Sequence, residues 1–225
     1  MLEDRYNLPD PMGWLSRLNE KTRRLLLQSC DEILYLTDEA IYHADDDTGG
    51  LFCALTGRMD AHWPRLPAGR TLVHTVGPGW WIGDLSFVSG ARRRVELTAG
   101  ANSRILRLSR AQLFRIAETV PEIHFALLTM MASTLRVTTD IIESRSIDDD
   151  CQRVATCLLR LHYTGPTWNG ELPITQKELA SIAAMSRGRI IDAVKKLENM
   201  GLLKNKYGKI CISKIDNMTK FYENN

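Results

Sequence analysis

Apolar and polar positions follow three different patterns along the chain, and the changes between them divide it into three parts. From about residue 33 to residue 108, short apolar segments alternate with turns that contain Gly or Pro, which is typical of antiparallel strands. The predicted strands include residues 51–55, 71–76, 95–99 and 104–108. Strands with turns this frequent favour a small sandwich or barrel with alternate side chains inside. Residues 14–29, before the strands, carry apolar positions at helical spacing.

The second pattern, at residues 121–147, predicts one helix that is about 40 Å long. A first apolar stripe follows steps of four and three residues and consists of Ile123, Leu127, Met130, Thr134, Val137, Ile141 and Ser144. A second stripe on the adjacent face consists of Leu128, Met131, Leu135 and Ile142. Two apolar faces require two partners, so we predict that one packs on the barrel and the other on a second copy of the chain. We assign the homodimer contact to the first stripe, from Ile123 to Ile141; burial of the whole helix within its own chain is the alternative.

The third pattern predicts a helix at residues 151–162, a loop at 165–170 and then two short helices close together. Thr175 and Glu178 form a Thr-x-x-Glu capping box, which opens a helix that ends near residue 183. Ser186 is a good N-cap for the next helix, whose buried face is Ile190, Val194 and Leu197. Residues 202–204 and 209–212 form a hairpin around a Tyr-Gly turn. This order predicts a winged helix-turn-helix.

The second helix of this motif presents side chains suited to DNA in its first turns. Arginine donates paired hydrogen bonds to guanine edges, while lysines and an exposed helix N-terminus hold phosphates. We predict that Arg187 and Arg189 read bases. The full set of predicted DNA-contacting residues is Thr175, Gln176, Ser186, Arg187, Gly188, Arg189, Asp192 and Lys195. One alternative is a helical hairpin with a purely structural role, and another is a winged helix that binds protein rather than DNA.

Charge is unevenly distributed in a way that supports a nucleic-acid contact at the C-terminal end. Residues 171–225 hold ten basic and six acidic side chains, a net charge of +4, whereas residues 1–170 carry −2. A lysine-rich solvated surface would produce the same asymmetry. With 44% hydrophobic and 25% charged residues, the chain of 225 residues has the composition of a globular protein with about two domains.

Other features of the sequence argue against a membrane protein and against a metal enzyme. We see neither a long uninterrupted apolar run nor a basic-then-apolar N-terminal signal, so we expect a cytoplasmic protein without a membrane partner. The five cysteines and five histidines are dispersed, with no spacing that places two ligands on one metal, so we expect no metal site and free, buried thiols.

Two stretches of the chain resemble the Crp/Fnr family of bacterial transcription regulators. Residues 77–85 (GPGWWIGDL) are similar to the family pattern Gly-(Asp/Glu)-x-(Phe/Trp)-(Ile/Phe)-Gly-Glu-(Leu/Met), and residues 174–180 and 185–187 are similar to its helix-turn-helix. The resemblance implies an α+β protein, not an enzyme: a jelly-roll barrel of the cyclic-nucleotide-binding type at residues 1–120, a long dimerisation helix at 121–147 and a winged helix-turn-helix at 148–225. It also implies RNA polymerase as a partner.

The resemblance further implies an effector site in the barrel. The matching positions are Gly83, Asp84, Leu85, Arg93, Arg94, Thr138 and Thr139, where the family binds the ribose, the cyclic phosphate and adenine. Cyclic AMP, or another small anionic effector, is therefore a candidate ligand. Asp84 stands in place of the family's Glu, and Arg94 in place of its small hydroxyl residue. Gly188 and Asp192 also depart from the family pattern, which predicts a different DNA sequence.

We therefore predict a homodimer that binds double-stranded DNA and whose barrel senses a small effector. The effector would shift the long helices so that two recognition helices fit successive major grooves about 34 Å apart. One alternative is the same regulator with a degenerate, ligand-free barrel. A second is a cupin-like barrel enzyme with an accessory winged helix. A third is a haem sensor in which His74 or Met59 faces the pocket.

Overall fold

The computed structural model describes residues 5–66 and 69–223. Eight strands form the predicted barrel: β1 (Asp31–Tyr35), β2 (Ala40–Tyr42), β3 (Leu51–Thr56), β4 (Met59–Leu66), β5 (Gly69–Val76), β6 (Trp81–Ile82), β7 (Glu96–Ala99) and β8 (Ser103–Leu108). They pair antiparallel in two four-stranded sheets, in the orders β1-β8-β3-β6 and β2-β7-β4-β5. All four strands named from the sequence are present. The jelly-roll prediction is therefore confirmed.

The helix predicted at residues 14–29 is interrupted. A short 3₁₀ turn (Leu15–Arg17) is followed by helix α1 (Glu20–Gln28). Asn19 separates them because its backbone is extended and its side chain accepts a hydrogen bond from the Thr22 amide at 2.9 Å, which caps α1. Two further helices belong to the barrel: α2 (Asp84–Ser89), after β6, and α3 (Arg110–Ala117), after β8.

The long helix α4 (Glu122–Ser146) packs lengthwise on the barrel. Ile123, Met130 and Val137 are buried in the barrel core, and Leu127 and Ile141 pack against it half-buried. The first stripe is thus covered by its own chain, which corrects its assignment to the dimer contact. In the second stripe, Leu128, Leu135 and Ile142 are 60%, 66% and 65% exposed, so this is the apolar face that α4 leaves open.

By length and apolar composition alone, α4 also satisfies the criteria for a membrane-spanning helix. One such helix is weak evidence for a membrane protein, because the long helix of a soluble protein passes the same test. The packing of its first stripe on the barrel accounts for five of its apolar residues, namely Ile123, Leu127, Met130, Val137 and Ile141.

The C-terminal part has its own core. It consists of α5 (Asp150–Thr164), a 3₁₀ turn (Pro166–Trp168), β9 (Glu171–Leu172), α6 (Gln176–Ile182), α7 (Arg187–Asn199), β10 (Leu203–Lys206), β11 (Lys209–Ile212) and α8 (Ile215–Glu223). Strands β10 and β11 form the predicted hairpin, and β9 adds to it as a third strand. Ile190, Val194 and Leu197 are buried as predicted. Helix α8 was not predicted from the sequence.

The C-terminal part packs on strand β5, which lies at the edge of its sheet. The Ser181 hydroxyl donates to the Leu72 carbonyl at 2.8 Å, and the Gly77 amide donates to the Thr164 carbonyl at 2.9 Å. The Thr164 hydroxyl lies 3.3 Å from the Thr75 carbonyl. An uncovered edge strand leaves backbone groups unpaired, so these contacts cover an edge that would otherwise be open.

Candidate DNA-binding surface and effector cavity

Helices α6 and α7 are started by the two caps that the sequence predicts. The Glu178 carboxylate accepts from the Thr175 amide at 2.6 Å, and the Thr175 hydroxyl accepts from the Glu178 amide at 3.2 Å. Ser186 accepts from the Arg189 amide at the start of α7. The turn between the helices includes Ala184 with a φ of 52°, a left-handed conformation that reverses the chain direction within a few residues.

The predicted DNA-contacting residues are located together on the surface of this motif. Gln176 is half-buried at the start of α6; Thr175, Ser186, Arg187, Gly188, Arg189, Asp192 and Lys195 are exposed. Because the buried face of α7 holds the helix against α5, the opposite face is available to enter a groove of DNA. Tyr207, which the sequence analysis did not select, is fully exposed at the tip of the β10–β11 hairpin.

The two arginines predicted to read bases differ in their surroundings. Arg189 forms a two-pronged ion pair with Asp150 at the start of α5, with 3.0 Å between Nε and Oδ2. Its hydrogen bond and charge lower the pKa of Asp150 below the ordinary value. Arg187 is exposed and has no ion-pair partner within the described part of the chain. In this conformation Arg187 is available to DNA, whereas Arg189 must first leave Asp150.

Arg93, the predicted phosphate-binding arginine, is instead held by the barrel itself. It is 2% exposed, and its guanidinium donates to the Gly50 carbonyl at 2.6 Å and to the Gly83 carbonyl at 3.1 Å. The guanidinium also lies 4.3 Å from the centre of the Tyr42 ring. Gly83 has a φ of 111°, and a Cβ there would lie 2.6 Å from Arg93 Nη1. Position 83 therefore requires glycine, because of its positive φ and because a side chain would collide with the Arg93 guanidinium.

Of the other predicted effector residues, Asp84 lies near enough to Arg93 for their charges to interact. Arg94 is exposed, and so is Leu85. The hydroxyls of Thr138 and Thr139 donate to carbonyls of their own helix, at 2.9 and 3.0 Å. Asp84 and Thr138 do line a cavity between the barrel and α4, but Arg93 does not. The residues present therefore do not fit a cyclic phosphate in this arrangement. Arg93, the cation expected to bind the phosphate, donates to the Gly50 and Gly83 carbonyls and does not line the cavity.

The cavity between the barrel and α4, called the effector cavity below, has a volume of about 350 Å³. Its wall is mostly apolar and includes Trp63, Trp80, Trp81, Val137 and Ile141. Val73 and Val76 of β5 line one side of this wall, and Val137 and Ile141 line the other, because the first stripe of α4 packs on the barrel.

Two titratable groups of the effector cavity have shifted pKa values. Burial raises the pKa of Asp84 above its ordinary range, and the Thr134 hydroxyl acts against that shift. Burial, together with the charge of Arg160, holds the pKa of His74 well below its ordinary value. His74 is thus neutral at pH 7. In the described residues neither ring nitrogen of His74 has a hydrogen-bond partner, and the same is true of Trp81 Nε1.

Two predictions made from the sequence concern groups that lie elsewhere in the structure. Of the two residues named as facing the pocket in a haem sensor, His74 lines the effector cavity, whereas Met59 is buried in the barrel core. All five cysteines are buried and free. Among residues 5–66 and 69–223, no group of three or more His, Cys, Asp or Glu residues could hold a metal ion.

The barrel, the long helix and the winged helix-turn-helix define a class of protein: DNA-binding transcription regulators with a barrel of the cyclic-nucleotide-binding type. Residues 32–120 match the family described as "Cyclic nucleotide-binding domain", and residues 152–221 match "Crp-like helix-turn-helix domain". The chain belongs to the Crp/Fnr family of transcription regulators. These are domains of regulators and not of enzymes, so the barrel-enzyme alternative is wrong.

Relatives of known name agree with this assignment. The chain is 23% identical over 173 residues to the Cyclic AMP receptor protein of Thermus thermophilus, covering 76% of this chain and 78% of that protein. It is 25% identical over 187 residues to the cAMP-activated global transcriptional regulator Vfr of Pseudomonas aeruginosa, covering 79% and 87%. The solved structure of FixK2 from Bradyrhizobium japonicum has a TM-score of 0.73 at 20% identity, covering 85% of this chain and 96% of that one.

Proposed function

We propose that this regulator is a homodimer in which a small molecule in the effector cavity changes the position of the DNA-binding domain. The observation that carries the proposal is the double role of strand β5. His74, Val73 and Val76 of β5 line the effector cavity, while the carbonyls of Leu72 and Thr75 bind the C-terminal part. A ligand that moves β5 therefore changes both contacts.

A second contact joins the barrel to the helix-turn-helix. Arg58, just before β4, donates to the Pro173 carbonyl and to the Glu178 carboxylate, and it pairs with Asp60 at 3.1 Å. Glu178 is also part of the capping box of α6. These bonds hold the DNA-binding domain against its own barrel in this conformation. A ligand that binds more tightly to a conformation without the Arg58 bonds would shift the population toward that conformation.

The homodimer would form through the second stripe of α4. Leu128, Leu135 and Ile142 recur every seven residues, which is the repeat of a two-stranded coiled coil, and all three are exposed. We expect Leu135→Glu to convert the dimer to a monomer, because symmetry places two buried charges at one contact. Sedimentation velocity measures the mass. Leu34→Glu, at an equally exposed leucine on β1, is the control and should leave the mass unchanged.

DNA recognition is tested by selecting bound duplexes from a random pool. A homodimer should enrich a two-fold symmetric sequence with half-sites about one helical turn apart. Arg187→Ala should reduce the affinity for the enriched sequence about tenfold, with little effect on random DNA. Failure to enrich any sequence would contradict the proposal. DNA binding also agrees with the cytoplasmic location expected from the sequence, and with RNA polymerase as a partner, which the family resemblance implies.

One observation favours a second candidate function, a regulator whose barrel takes no ligand. The Arg93 guanidinium already donates to the Gly50 and Gly83 carbonyls and lies over the Tyr42 ring, so the cation expected to bind a phosphate is engaged within the barrel. The two candidates differ in a measurable way. A ligand-free regulator binds its DNA equally well in the presence and absence of cell metabolites at fixed salt concentration, whereas an effector-responsive regulator does not.

A further inference from the structure

We propose that the effector cavity binds a neutral, largely apolar aromatic molecule with one hydrogen-bonding group, rather than a cyclic nucleotide. The inference deepens the proposed function, since it takes this cavity to be the effector site and names the class of ligand. Three observations carry it: the chemistry of the wall, the unpaired polar atoms on that wall, and the position of the nearest charges.

The wall of the effector cavity matches an aromatic ring in kind and in size. Three indole rings, those of Trp63, Trp80 and Trp81, share it with aliphatic side chains such as Val137 and Ile141. The volume of about 350 Å³ is at the lower end of the range for small-molecule sites. A flat ring offset on an indole gains contact area and favourable quadrupole geometry. The cavity thus favours a compact aromatic molecule.

His74 gives the cavity its polar specificity. It is 6% exposed, and in the described part of the chain neither of its ring nitrogens has a hydrogen-bond partner. A neutral imidazole offers one donor and one acceptor. Leaving both unpaired in an apolar surrounding is unfavourable, so a ligand that supplies a partner gains affinity relative to one that does not.

The charges around the cavity disfavour a phosphate. Asp84 is the carboxyl group on the wall; in its charged form it would repel a second anion, and a second anion would in turn favour its protonation. Arg145, also on the wall, lies on an exposed part of α4, where its charge is solvated. The charge of Arg93 acts on Asp84, but Arg93 does not line the cavity and donates to the Gly50 and Gly83 carbonyls. Arg160, whose charge acts on His74, donates to the Asp140 carbonyl and the Ser144 hydroxyl. A neutral ligand avoids these costs.

The test compares indole with indene by titration calorimetry. The two molecules have nearly the same shape, but only indole has an N–H group. We expect both to bind at sub-millimolar concentration, and indole to bind about tenfold more tightly because it pairs with His74. His74→Phe should retain indene binding and remove the preference for indole. His43→Phe, at an exposed histidine outside the cavity, should change neither.

Ile141→Trp supplies a second variant if His74→Phe does not fold. It narrows the cavity from α4, and we expect it to reduce the affinity for both probes. The proposal is overturned if neither probe binds the unaltered protein, or if His74→Phe keeps the preference for indole. It is also overturned if cyclic AMP binds saturably and Arg93→Met abolishes that binding. The proposed function is tested separately, by measuring whether indole changes the affinity for the selected DNA. If indole binds but leaves that affinity unchanged, the proposed function is wrong and the ligand class still holds.

Discussion

Replacing Arg58 by Met should destabilise the protein by an amount that depends on pH. The substitution keeps most of the apolar volume but removes the cation from a buried site, where the Arg58 and Asp60 side chains are 9% and 7% exposed. Asp60 then retains the Thr75 hydroxyl at 2.5 Å as its partner, but no longer has a cation. Removing one member of a buried ion pair costs about 3–5 kcal/mol.

Protonation of Asp60 limits the loss. Burial already raises the pKa of Asp60, against the effect of Arg58, and removing Arg58 raises it further. From an ordinary pKa of about 3.9, neutralising the carboxyl costs about 4 kcal/mol at pH 7 and about 1.5 kcal/mol at pH 5. A carboxyl with a raised pKa in the folded state favours folding at low pH and loses that advantage as pH rises. The loss of stability should therefore be about 4 kcal/mol at pH 7 and about 2–3 kcal/mol smaller at pH 5.

Urea unfolding, followed by tryptophan fluorescence at both pH values, measures this difference. The double variant Arg58→Met with Asp60→Asn should recover most of the loss at pH 7, because the buried position 60 no longer carries a charge, while the more exposed Glu178 keeps its hydrogen bonds to Thr175. Arg92→Met, at an arginine whose side chain is 70% exposed, is the matched control and should change little. An equal loss at pH 7 and pH 5, or a double variant less stable than Arg58→Met, would refute the reasoning.

Three further predictions concern single residues. Gly83→Ala should lower the free energy of unfolding by about 3 kcal/mol, because the new Cβ meets Arg93 and the φ of 111° is strained; thermal unfolding measures it. Burial, with a smaller contribution from a neighbouring arginine, lowers the pKa of His74, so its contribution to stability should fall by about 1.4 kcal/mol per pH unit below about pH 6.5; His74→Gln should remove that slope. Asp150→Asn should release Arg189 and raise the affinity for DNA about threefold, measured by fluorescence anisotropy.

Matched variants separate these effects from general damage. Gly13 has a φ of 71° and nothing within 4 Å of its added Cβ, so Gly13→Ala reports backbone strain alone and should cost less than Gly83→Ala. His43→Gln should leave the pH slope unchanged. Asp148→Asn removes a nearby charge without touching Arg189; if it raises DNA affinity as much as Asp150→Asn, the ion pair is not responsible.

Several features of this protein follow from its sequence alone, because they depend on residues close together in the chain. The capping box of Thr175 and Glu178 and the cap at Ser186 join residues three apart, and both are present. The barrel strands follow from the spacing of apolar residues and turns. The outward face of α7 also follows, since the buried positions Ile190, Val194 and Leu197 leave the opposite face to solvent.

Which partner each polar side chain has depends on contacts between distant parts of the chain. Arg93 carries the family's phosphate motif, but its partner Gly50 lies 43 residues away, and only the closed barrel brings the two together. Arg189 meets Asp150 across 39 residues. Periodicity alone does not say which stripe of α4 packs on the barrel. The structure shows that the first stripe does and that the second stays exposed. Local hydrogen bonds and periodicity thus determined the elements, whereas tertiary packing decided which of their polar groups remain free to bind a ligand or DNA.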